Sequence, residues 1–437
     1  GVYWSDQPPL LTFIHSVLLG WFGPSLVSLR IVAVGFSVLL CIALFQILKR
    51  FYGWFAGLTC IALLVLSSDY LMLSVSCLIG LPAYAFAMVA CACSIRSTYE
   101  SSVAYALLSG IFLGLGAMTK MSALLAFPAL ALWFACWRSK DTGPKLNSAN
   151  LMKWWLGGFG VVFFGFYLLR PDMLVVLAAT HWGSATRSAF QDYPSSPETI
   201  FSFMVNDWLL TMLALLGLFI GIRRRIRAAF LPALWFGVAL LVQLWHRPFW
   251  SHHTINLFVP MAWLAGVFVG ELAKSLTLNH GNGQIEHQLH GSDHGSAHSY
   301  SFNQDADKRL NVSLSKLSWL TNARCRAMIL IPFIVAGIFW LAPEKLSWEA
   351  TILKQDDSKD WECVEIMKEY KSKTHWVFTD HGLYPFYAGM LVPPEIAVLS
   401  YKRLKAGLIT QPELLNLLVH YRAEQVLVHR HVFNEKF

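Results

Sequence analysis

Long apolar runs separated by short polar connections fill the chain up to about residue 342. A helix needs about 20 apolar residues to cross a bilayer, and these runs lack the alternation of membrane β-strands. The pattern therefore predicts a mainly α, polytopic helical membrane protein. The two runs around Lys120 alternatively form one re-entrant hairpin. The ten candidate spans lie at about residues 29–48, 54–72, 79–95, 102–118, 121–137, 154–170, 203–222, 228–245, 254–273 and 326–342.

A shorter apolar run, residues 10–22, contains His15 and is too short to cross a bilayer. Pro8 and Pro9 stand just before it, where proline can start a helix but not continue one. We predict a helix that lies along the membrane surface. Asp6 is then held directly before that helix. A carboxylate at this place suits lipid-phosphate or metal chemistry, and it equally suits a plain helix cap.

Lysine and arginine are distributed unevenly between the two sets of connections. The rich set carries Lys49, Arg50, Arg96, Arg138, Lys140, Lys145, Lys153, Arg223, Arg224, Arg225, Arg227, Lys274, Lys308, Arg309, Lys316, Arg324 and Arg326. The sparse set carries, apart from the C-terminal segment, Lys120, Arg170, Arg187 and Arg247. The rich set is assigned to the cytoplasm. We expect a cytoplasmic (inner) membrane protein whose sparse connections and C-terminal domain lie on the external, periplasmic face.

This orientation gathers acidic and histidine side chains on the outer face. They are Asp6, Asp69, His181, His246, His252 and His253. The connection 171–202 is long for a helical bundle, and its apolar residues 173–180 predict a second surface helix. Histidines beside an arginine could bind phosphate or a metal, whereas each histidine by itself equally fits a hydrogen-bonded residue at the interface.

The chain divides into five predicted segments. Residues 1–28 form an external loop with the surface helix, 29–275 a transmembrane bundle, 276–325 a polar cytoplasmic linker, 326–342 the last transmembrane helix and 343–437 a small external α/β domain. In this domain, short apolar runs ending before Asp380 and at 425–429 predict strands. Residues 410–413 form a capping box that starts a helix, and further helices are predicted near 359–371 and 401–406.

Composition narrows the functional classes. Hydrophobic residues make up 56% and charged residues 14% of the 437 residues, against about 25% charged residues in soluble domains. The net charge of +8 does not indicate nucleic-acid binding, because the basic residues lie in connections on one side. The eight cysteines contain no C-x-x-C pair, so we expect apolar fillers and no disulfide. The chain begins without Met or a signal peptide, which predicts a missing upstream segment.

Several stretches resemble the family 39 glycosyltransferases, which include protein O-mannosyltransferases and the bacterial aminoarabinose transferase that modifies lipid A. Residues 4–10 (Trp-Ser-Asp-Gln-Pro-Pro-Leu), 22–25 (Phe-Gly-Pro-Ser) and 49–53 (Lys-Arg-Phe-Tyr-Gly) carry the N-terminal part of the resemblance. Residues 247–253 (Arg-Pro-Phe-Trp-Ser-His-His) and 392–394 (Val-Pro-Pro) look like bacterial members. The first motif is the most specific of these.

The resemblance implies a C-type glycosyltransferase of the cell envelope, which moves a sugar from a polyprenyl-phosphate carrier to a protein, lipid or glycan acceptor on the outer face. It implies inversion at the anomeric carbon, a carboxylate base, and positive charge or a divalent metal at the carrier phosphate. Asp6 matches the acidic position at the metal or phosphate site, and His181 matches a histidine that pairs with it. Gln7 stands where some members have lysine. Further candidates for binding the carrier are Arg187, Arg247, His252 and His253.

Two departures from the family bear on activity. The acidic motif that holds the family's general base lies upstream of residue 1, so we expect this chain by itself not to catalyse transfer, while the full-length protein does. A second family aspartate has no counterpart at residues 80–82, which read Gly-Leu-Pro. If this chain turns over, Asp6 or Asp69 is the expected catalytic carboxylate. Mannose is the family's most common sugar, so a mannose-like donor is expected.

Two other classes are alternatives. A transporter or flippase for a lipid-linked sugar predicts ionisable residues deep in the membrane and broken helices. A catalytically silent scaffold that presents the C-terminal domain to a partner predicts no carrier binding and no effect of substituting Asp6 or His181. The predicted spans hold few ionisable residues, so we favour the transferase.

Overall fold

The computed structural model describes residues 7–23, 25–67, 69–136, 148–169, 171–173, 175, 177, 188, 196–246, 249–277, 323–353, 358–397, 399 and 401–428. The part before residue 354 is helical, as the sequence predicts. Its helices are α1 (Leu10–Phe22), α2 (Leu26–Tyr52), α3 (Trp54–Val65), α4 (Tyr70–Val75), α5 (Gly80–Glu100), α6 (Val103–Thr119), α7 (Phe127–Cys136), α8 (Ser148–Leu169), α9 (Ser196–Asn206), α10 (Trp208–Arg223), α11 (Arg227–Trp245), α12 (Ile255–Thr277) and α13 (Ala323–Leu353).

Six helices of the described ranges are long and apolar enough to cross a membrane: α2, α5, α8, α11, α12 and α13. The number becomes seven if α9 and α10, which meet at a bend of 99°, form one span. The other predicted spans correspond to the shorter apolar helices Trp54–Val65, Val103–Thr119 and Met121–Cys136. The chain is therefore a multi-pass helical membrane protein with fewer full-length spans than the ten predicted.

Local backbone geometry explains why some apolar runs form short helices. Asp69 has a φ of 64°, in the left-handed region that aspartate tolerates, and it separates α3 from α4. Lys120 is extended, with a φ of −155°, between α6 and the 3₁₀ turn Met121–Ala126. Asp207 lies at the bend between α9 and α10 with helical geometry interrupted. The predicted spans 102–118 and 121–137 already separate at Lys120, whereas Asp69 and Asp207 lie inside predicted spans because apolar residues flank them on both sides.

Helices α5 and α12 form the centre of the bundle. Within their candidate spans, 78% of the residues of α5 and 89% of those of α12 are buried. In α13 only 11% of the corresponding residues are buried, which is typical of a helix whose sides face lipid. The ends of the two central helices are therefore the places where loops and neighbouring helices can enclose a site.

Glycines allow the backbones of several neighbouring helices to pack in direct contact. A Cβ atom at Gly158 on α8 would lie 2.4 Å from the Leu107 carbonyl oxygen on α6. One at Gly217 on α10 would lie 2.0 Å from the carbonyl oxygen of Leu264 on α12. Small residues permit such close packing in membranes, where van der Waals contact between helices replaces the hydrophobic effect. These contacts fix the position of α8 against α6 and of α10 against α12.

A buried ion pair connects the bend between α9 and α10 to the peripheral helix α13. Asp207 is 6% exposed, and its Oδ1 accepts a hydrogen bond from Nζ of Lys345 at 3.3 Å. A carboxylate withdrawn from water loses several kcal/mol of hydration, which a nearby ammonium offsets. The pair therefore holds the bend in place.

The C-terminal segment is a small α/β unit, in agreement with the predicted fold class. Its elements are α14 (Ser358–Glu369), β1 (Val377–Thr379), α15 (Leu383–Ala388), α16 (Tyr401–Lys405), α17 (Gln411–Tyr421) and β2 (Gln425–Leu427). The strands are parallel, with Phe378 opposite Val426. The capping box is present, because Glu413 accepts from the backbone N–H of Thr410 at 2.7 Å. The sequence pattern did not predict the short helix α15, which follows β1.

Gly158→Ala is expected to destabilise the protein by about 1–3 kcal/mol, because the added methyl group overlaps the backbone of α6. The matched control is Gly157→Ala, since a Cβ atom at that neighbouring position meets nothing within 4 Å. The control should be neutral or slightly stabilising through its better helix propensity. Thermal unfolding in detergent measures both variants, and equal melting temperatures would contradict the close approach of α6 and α8.

Lys345→Met is expected to destabilise the protein by about 2–3 kcal/mol, because the Asp207 carboxylate then lies buried without that ammonium. Adding Asp207→Asn to the same variant should recover most of the loss. The control is Lys368→Met, which removes an exposed pair with Glu365 and should cost less than about 1 kcal/mol. Similar losses in the two single variants would show that burial of Asp207 is not the cause.

Candidate functional site

A polar cavity of about 120 Å³ lies at the end of the bundle where α6 and α11 finish and α12 begins. We call it the histidine pocket. It is lined by Gln7, Lys120, Met121, Ser122, Leu125, Leu177, Val242, Gln243, His246, His253 and Asn256. The sequence assigned the polar members Gln7, Lys120, His246 and His253 to one face of the membrane, and the fold brings them into one cavity.

Lys120 supplies the positive charge of the histidine pocket. Lys120 is 9% exposed and directly follows Thr119, the last residue of α6. A Cβ atom at Gly80, the first residue of α5, would lie 3.8 Å from Nζ of Lys120 and 3.8 Å from the carbonyl oxygen of His252. The ammonium group therefore lies close to the glycine at the start of α5.

The start of α12 adds to this positive potential. Asn256 lies in the first turn of that helix and lines the pocket. The N-terminal end of a helix carries a partial positive charge from its unpaired backbone N–H groups. Together with the Lys120 ammonium, the helix end makes the pocket suited to an anion.

Two adjacent histidines lie in the 3₁₀ turn Ser251–His253 beside Lys120. Burial lowers the pKa of His252 to about 4, and the nearby Lys120 charge acts in the same direction. His252 is therefore neutral at pH 7 and can exchange hydrogen bonds without adding charge. Its imidazole ring lies 4.4 Å from that of His253, measured between centroids.

His253 is held in a defined orientation. Its Nδ1 accepts a hydrogen bond from the backbone N–H of Trp250 at 3.4 Å. In the neutral imidazole the proton then resides on Nε2, which becomes a hydrogen-bond donor. The ring also packs edge-on against His246 and Phe249, with centroid distances of 5.0 Å and 5.7 Å. The 3₁₀ turn thus presents the Nε2–H group of His253 as a donor in the cavity that Lys120 also lines.

Three polar groups that line the histidine pocket have no hydrogen-bond partner within the described part of the chain. They are Oε1 of Gln243, Oδ1 of Asn256 and Oγ of Ser122. Gln243 and Asn256 are almost fully buried, at 4% and 1% exposed. An unpaired buried polar group costs about 1–3 kcal/mol, so these groups are suited to a bound polar molecule. The pocket can therefore hold an anion together with hydroxyl groups.

Asp69 lies in a different cavity from Gln7 and the histidines. That cavity has a volume of about 660 Å³ and is lined partly by Asn206, Glu344 and Lys345. Burial raises the pKa of Asp69, the Asp207 carboxylate raises it further, and Lys345 opposes the shift. Its Oδ2 atom has no partner among the described residues. The two cavities share no lining residue.

The remaining predicted site residues, Asp6, His181, Arg187 and Arg247, lie outside the described residues. The divalent metal predicted at Asp6 and His181 therefore stays a prediction. Within the described ranges, no group of three or more metal-ligating side chains converges. Of the predicted site residues, His252 lies against Lys120, and Gln7 and His253 line the histidine pocket.

Lys120 was not predicted as a site residue. Its signal in the sequence is a lone lysine between two apolar runs, on the face that carries few basic residues.

Comparison with known proteins supports both the fold and the N-terminal motif. A family model described as dolichyl-phosphate-mannose-protein mannosyltransferase matches residues 6–169. The crystal structure of ArnT from Cupriavidus metallidurans bound to undecaprenyl phosphate is similar, with a TM-score of 0.58 and 12% identity over 97% of this chain and 79% of that chain. The apo state of ArnT gives a TM-score of 0.57 and 13% identity over 89% and 75%.

A search of curated proteins gives no significant match. At 12–13% identity, the structural likeness shows the fold. The family match begins at Asp6, in the motif that carries the resemblance in the sequence. Residues 6–169 thus resemble the dolichyl-phosphate-mannose-protein mannosyltransferases, and the chain is a helical membrane protein with the fold seen in ArnT.

Proposed function

We propose that the protein transfers a sugar from a polyprenyl-phosphate carrier to an acceptor, and that the histidine pocket binds the carrier phosphate. The observation that carries this proposal is the buried Lys120 ammonium, which lines one cavity together with Gln7 of the family motif. An ammonium in a site of low dielectric attracts a phosphate far more strongly than it would in water. ArnT, which has the same fold, was crystallised with undecaprenyl phosphate.

Lys120 also accounts for the departure at Gln7. Some family members carry lysine at that position, and the glutamine removes one positive charge from the motif. Because Gln7 and Lys120 line the same cavity, Lys120 returns a charge of the same sign to it. The amide of Gln7 can still donate a hydrogen bond to a phosphate oxygen.

Of the two carboxylates of this chain that could act as the general base, Asp6, which precedes Gln7 in the sequence, is a better candidate than Asp69. Asp6 directly precedes Gln7, which lines the pocket. Consecutive Cα atoms are about 3.8 Å apart. Asp69 lines the separate cavity. If another carboxylate is the base, a divalent metal held by Asp6 and His181 would add positive charge at the same phosphate, as the guanidinium groups of Arg187 and Arg247 would.

The reaction proposed is an inverting displacement at the anomeric carbon. The oxygen of the acceptor forms a bond to that carbon, and the carbon–oxygen bond to the carrier phosphate breaks. The electron pair remains on the phosphate oxygen, whose charge Lys120 stabilises, and the acceptor proton moves to the carboxylate. The Nε2–H group of His253 can donate a hydrogen bond to a phosphate oxygen. The side-chain oxygens of Gln243 and Asn256, which have no partner among the described residues, can accept hydrogen bonds from sugar hydroxyls.

The family model that matches residues 6–169 favours a mannose-like sugar. The uneven distribution of Lys and Arg favours the outer membrane face as the place of transfer. We propose a protein, lipid or glycan acceptor on that face, with the C-terminal α/β unit on the same side.

Lys120→Met is expected to weaken binding of undecaprenyl phosphate by about 10- to 100-fold, because a charge-assisted hydrogen bond contributes about 1.5–3 kcal/mol. Binding to the purified protein in detergent can be measured by isothermal titration calorimetry. Lys49→Met is the control, since Lys49 lies at the opposite end of the bundle and lines a different cavity. Gln7→Lys should strengthen binding. Unchanged affinity in Lys120→Met would refute the proposed phosphate site.

Acidification from about pH 6.5 to pH 4 should destabilise the protein through His252. The folded protein has a pKa of about 4 at this residue, whereas an unfolded histidine has a pKa of about 6.5. In this interval the unfolded chain binds the proton first, so stability falls as pH falls, by about 2–3 kcal/mol after allowance for partial exposure.

Thermal unfolding as a function of pH measures this effect. His252→Gln should flatten the profile between pH 6.5 and 4, and His420→Gln, on α17, is the control that should leave it unchanged. A wild-type slope that persists in the His252→Gln variant would assign the acid sensitivity to other groups.

A flippase for a lipid-linked sugar is a second candidate because of the broken helix pair α9–α10. This pair bends by 99° at Asp207, which is buried and ion-paired with Lys345. Discontinuous helices with ionisable residues are typical of transporters. Proteoliposomes distinguish the two functions, because a flippase moves the lipid-linked sugar across the bilayer without consuming it, whereas a transferase releases polyprenyl phosphate.

A further inference from the structure

A second cavity lies at the opposite, arginine-rich end of the bundle. It has a volume of about 340 Å³ and is formed where α7 and α10 finish and α11 begins. Its walls include Trp133, Leu218, Ile222 and Phe230, with Arg225 and Arg227 at its polar end. Along α11, Arg227 is 16 residues from Gln243 of the histidine pocket, which corresponds to about 24 Å. The cavity is therefore separate from the proposed catalytic site.

The basic side chains of this end differ in their pairing. Residues 223–227 read Arg-Arg-Arg-Ile-Arg. Arg224 forms an ion pair with Glu271, with 3.3 Å between Nη1 of the arginine and Oε2 of the glutamate. Arg225 is exposed and forms no ion pair with any described residue. Its backbone has a φ of 52° in the turn between α10 and α11. The turn therefore presents a guanidinium group at the polar end of the cavity.

The apolar wall of the cavity opens to the side of the bundle. Ile222 is 69% exposed and Phe230 is 39% exposed, and both lie on apolar helices. In a membrane these surfaces face acyl chains. An apolar wall that opens to lipid and ends at arginines is complementary to an amphiphile with an anionic headgroup, because guanidinium binds phosphate oxygens in a bidentate manner.

We propose that this cavity binds an anionic phospholipid of the leaflet at the arginine-rich end. Arg225 and Arg227 contact the headgroup phosphate, and one acyl chain lies along Trp133, Leu218 and Phe230. Basic pockets between transmembrane helices are suited to such headgroups. The inference does not depend on the proposed transfer reaction, since it concerns a different end of the bundle and a different lipid.

The experiment measures binding of dioleoyl phosphatidylglycerol to the detergent-purified protein by native mass spectrometry, with dioleoyl phosphatidylcholine as the zwitterionic comparison. Arg225→Gln and Arg227→Gln are each expected to weaken phosphatidylglycerol binding about fivefold, the factor expected for one basic group near an anionic lipid. Phosphatidylcholine binding should change less than twofold.

Arg223→Gln is the matched control, because Arg223 belongs to the same basic run but does not line the cavity. A weakening as large as that of the two lining arginines would show that the run attracts anionic lipid through diffuse charge, and this would overturn the proposed site. Lys120→Met should leave phosphatidylglycerol binding unchanged, which separates this site from the histidine pocket.

Ala233→Trp tests the apolar half of the cavity without changing any charge. Ala233 lines the cavity and is half-buried, so an indole there should occupy the space of the acyl chain and weaken binding about fivefold or more. A melting temperature equal to that of the wild type confirms that the variant folds. Unchanged phosphatidylglycerol binding would refute the proposal that an acyl chain occupies the cavity.

Two competition results would also overturn the proposal. Full displacement of phosphatidylglycerol by millimolar inorganic phosphate would identify a site for free anions. Tighter binding of undecaprenyl phosphate than of phosphatidylglycerol, lost in Arg225→Gln, would identify a second carrier site. The expected result is weak competition by both.

Discussion

The ammonium group of Lys120 is withdrawn into the end of an apolar helix bundle, and the surrounding structure is adapted to it. Burying a charge is costly unless neighbouring groups compensate. Gly80 leaves room for the side chain at the start of α5, and the adjacent His252 stays neutral, with a pKa of about 4. The side-chain oxygens of Gln243 and Asn256 line the same space and have no hydrogen-bond partner among the described residues. These features make the cavity complementary to an anionic group with hydroxyl groups next to it.

Close packing between helices makes this arrangement possible. The pocket receives side chains from the segment before α1, the end of α6, the end of α11 and the start of α12. Backbone contacts at glycine, Gly158 against Leu107 and Gly217 against Leu264, fix two of these helices, α6 and α12, against their neighbours α8 and α10. Because each helix is fixed against its neighbour over several turns, side chains far apart in the sequence meet at one end. A site built on helix ends is held more rigidly than a site built on loops.

Charged side chains are arranged differently at the two ends of the bundle. At the histidine-pocket end, a buried lysine lies among imidazoles and amides. At the other end, arginines are exposed and several are paired with carboxylates, as in Arg50 with Glu100 and Arg224 with Glu271. The first arrangement suits recognition of one phosphate in a site of low dielectric, and the second suits the headgroup layer of a membrane. If both proposals hold, the protein binds a polyprenyl phosphate and a phospholipid at opposite ends.

The sequence by itself determined the class of protein and much of its local structure. Apolar runs without alternation predicted a helical membrane protein, the short apolar runs near residues 377 and 425 predicted the two strands, and Thr410 with Glu413 predicted a helix start. These features depend on residues close together in the chain. The bias in lysine and arginine also placed Gln7, Lys120 and His253 at one end of the bundle.

Only the tertiary structure decided which of these residues share a cavity. Asp69 was grouped with the histidines by sidedness alone, yet it lines another cavity with Lys345. Lys120 gave no strong signal in the sequence, because its importance comes from burial beside α5 and the 3₁₀ turn at His253. The breaks at Asp69 and Asp207, which lie inside the predicted spans 54–72 and 203–222, were also missed, since hydrophobicity is similar on both sides of each. Sidedness follows from local charge, whereas convergence depends on how distant helices pack against one another.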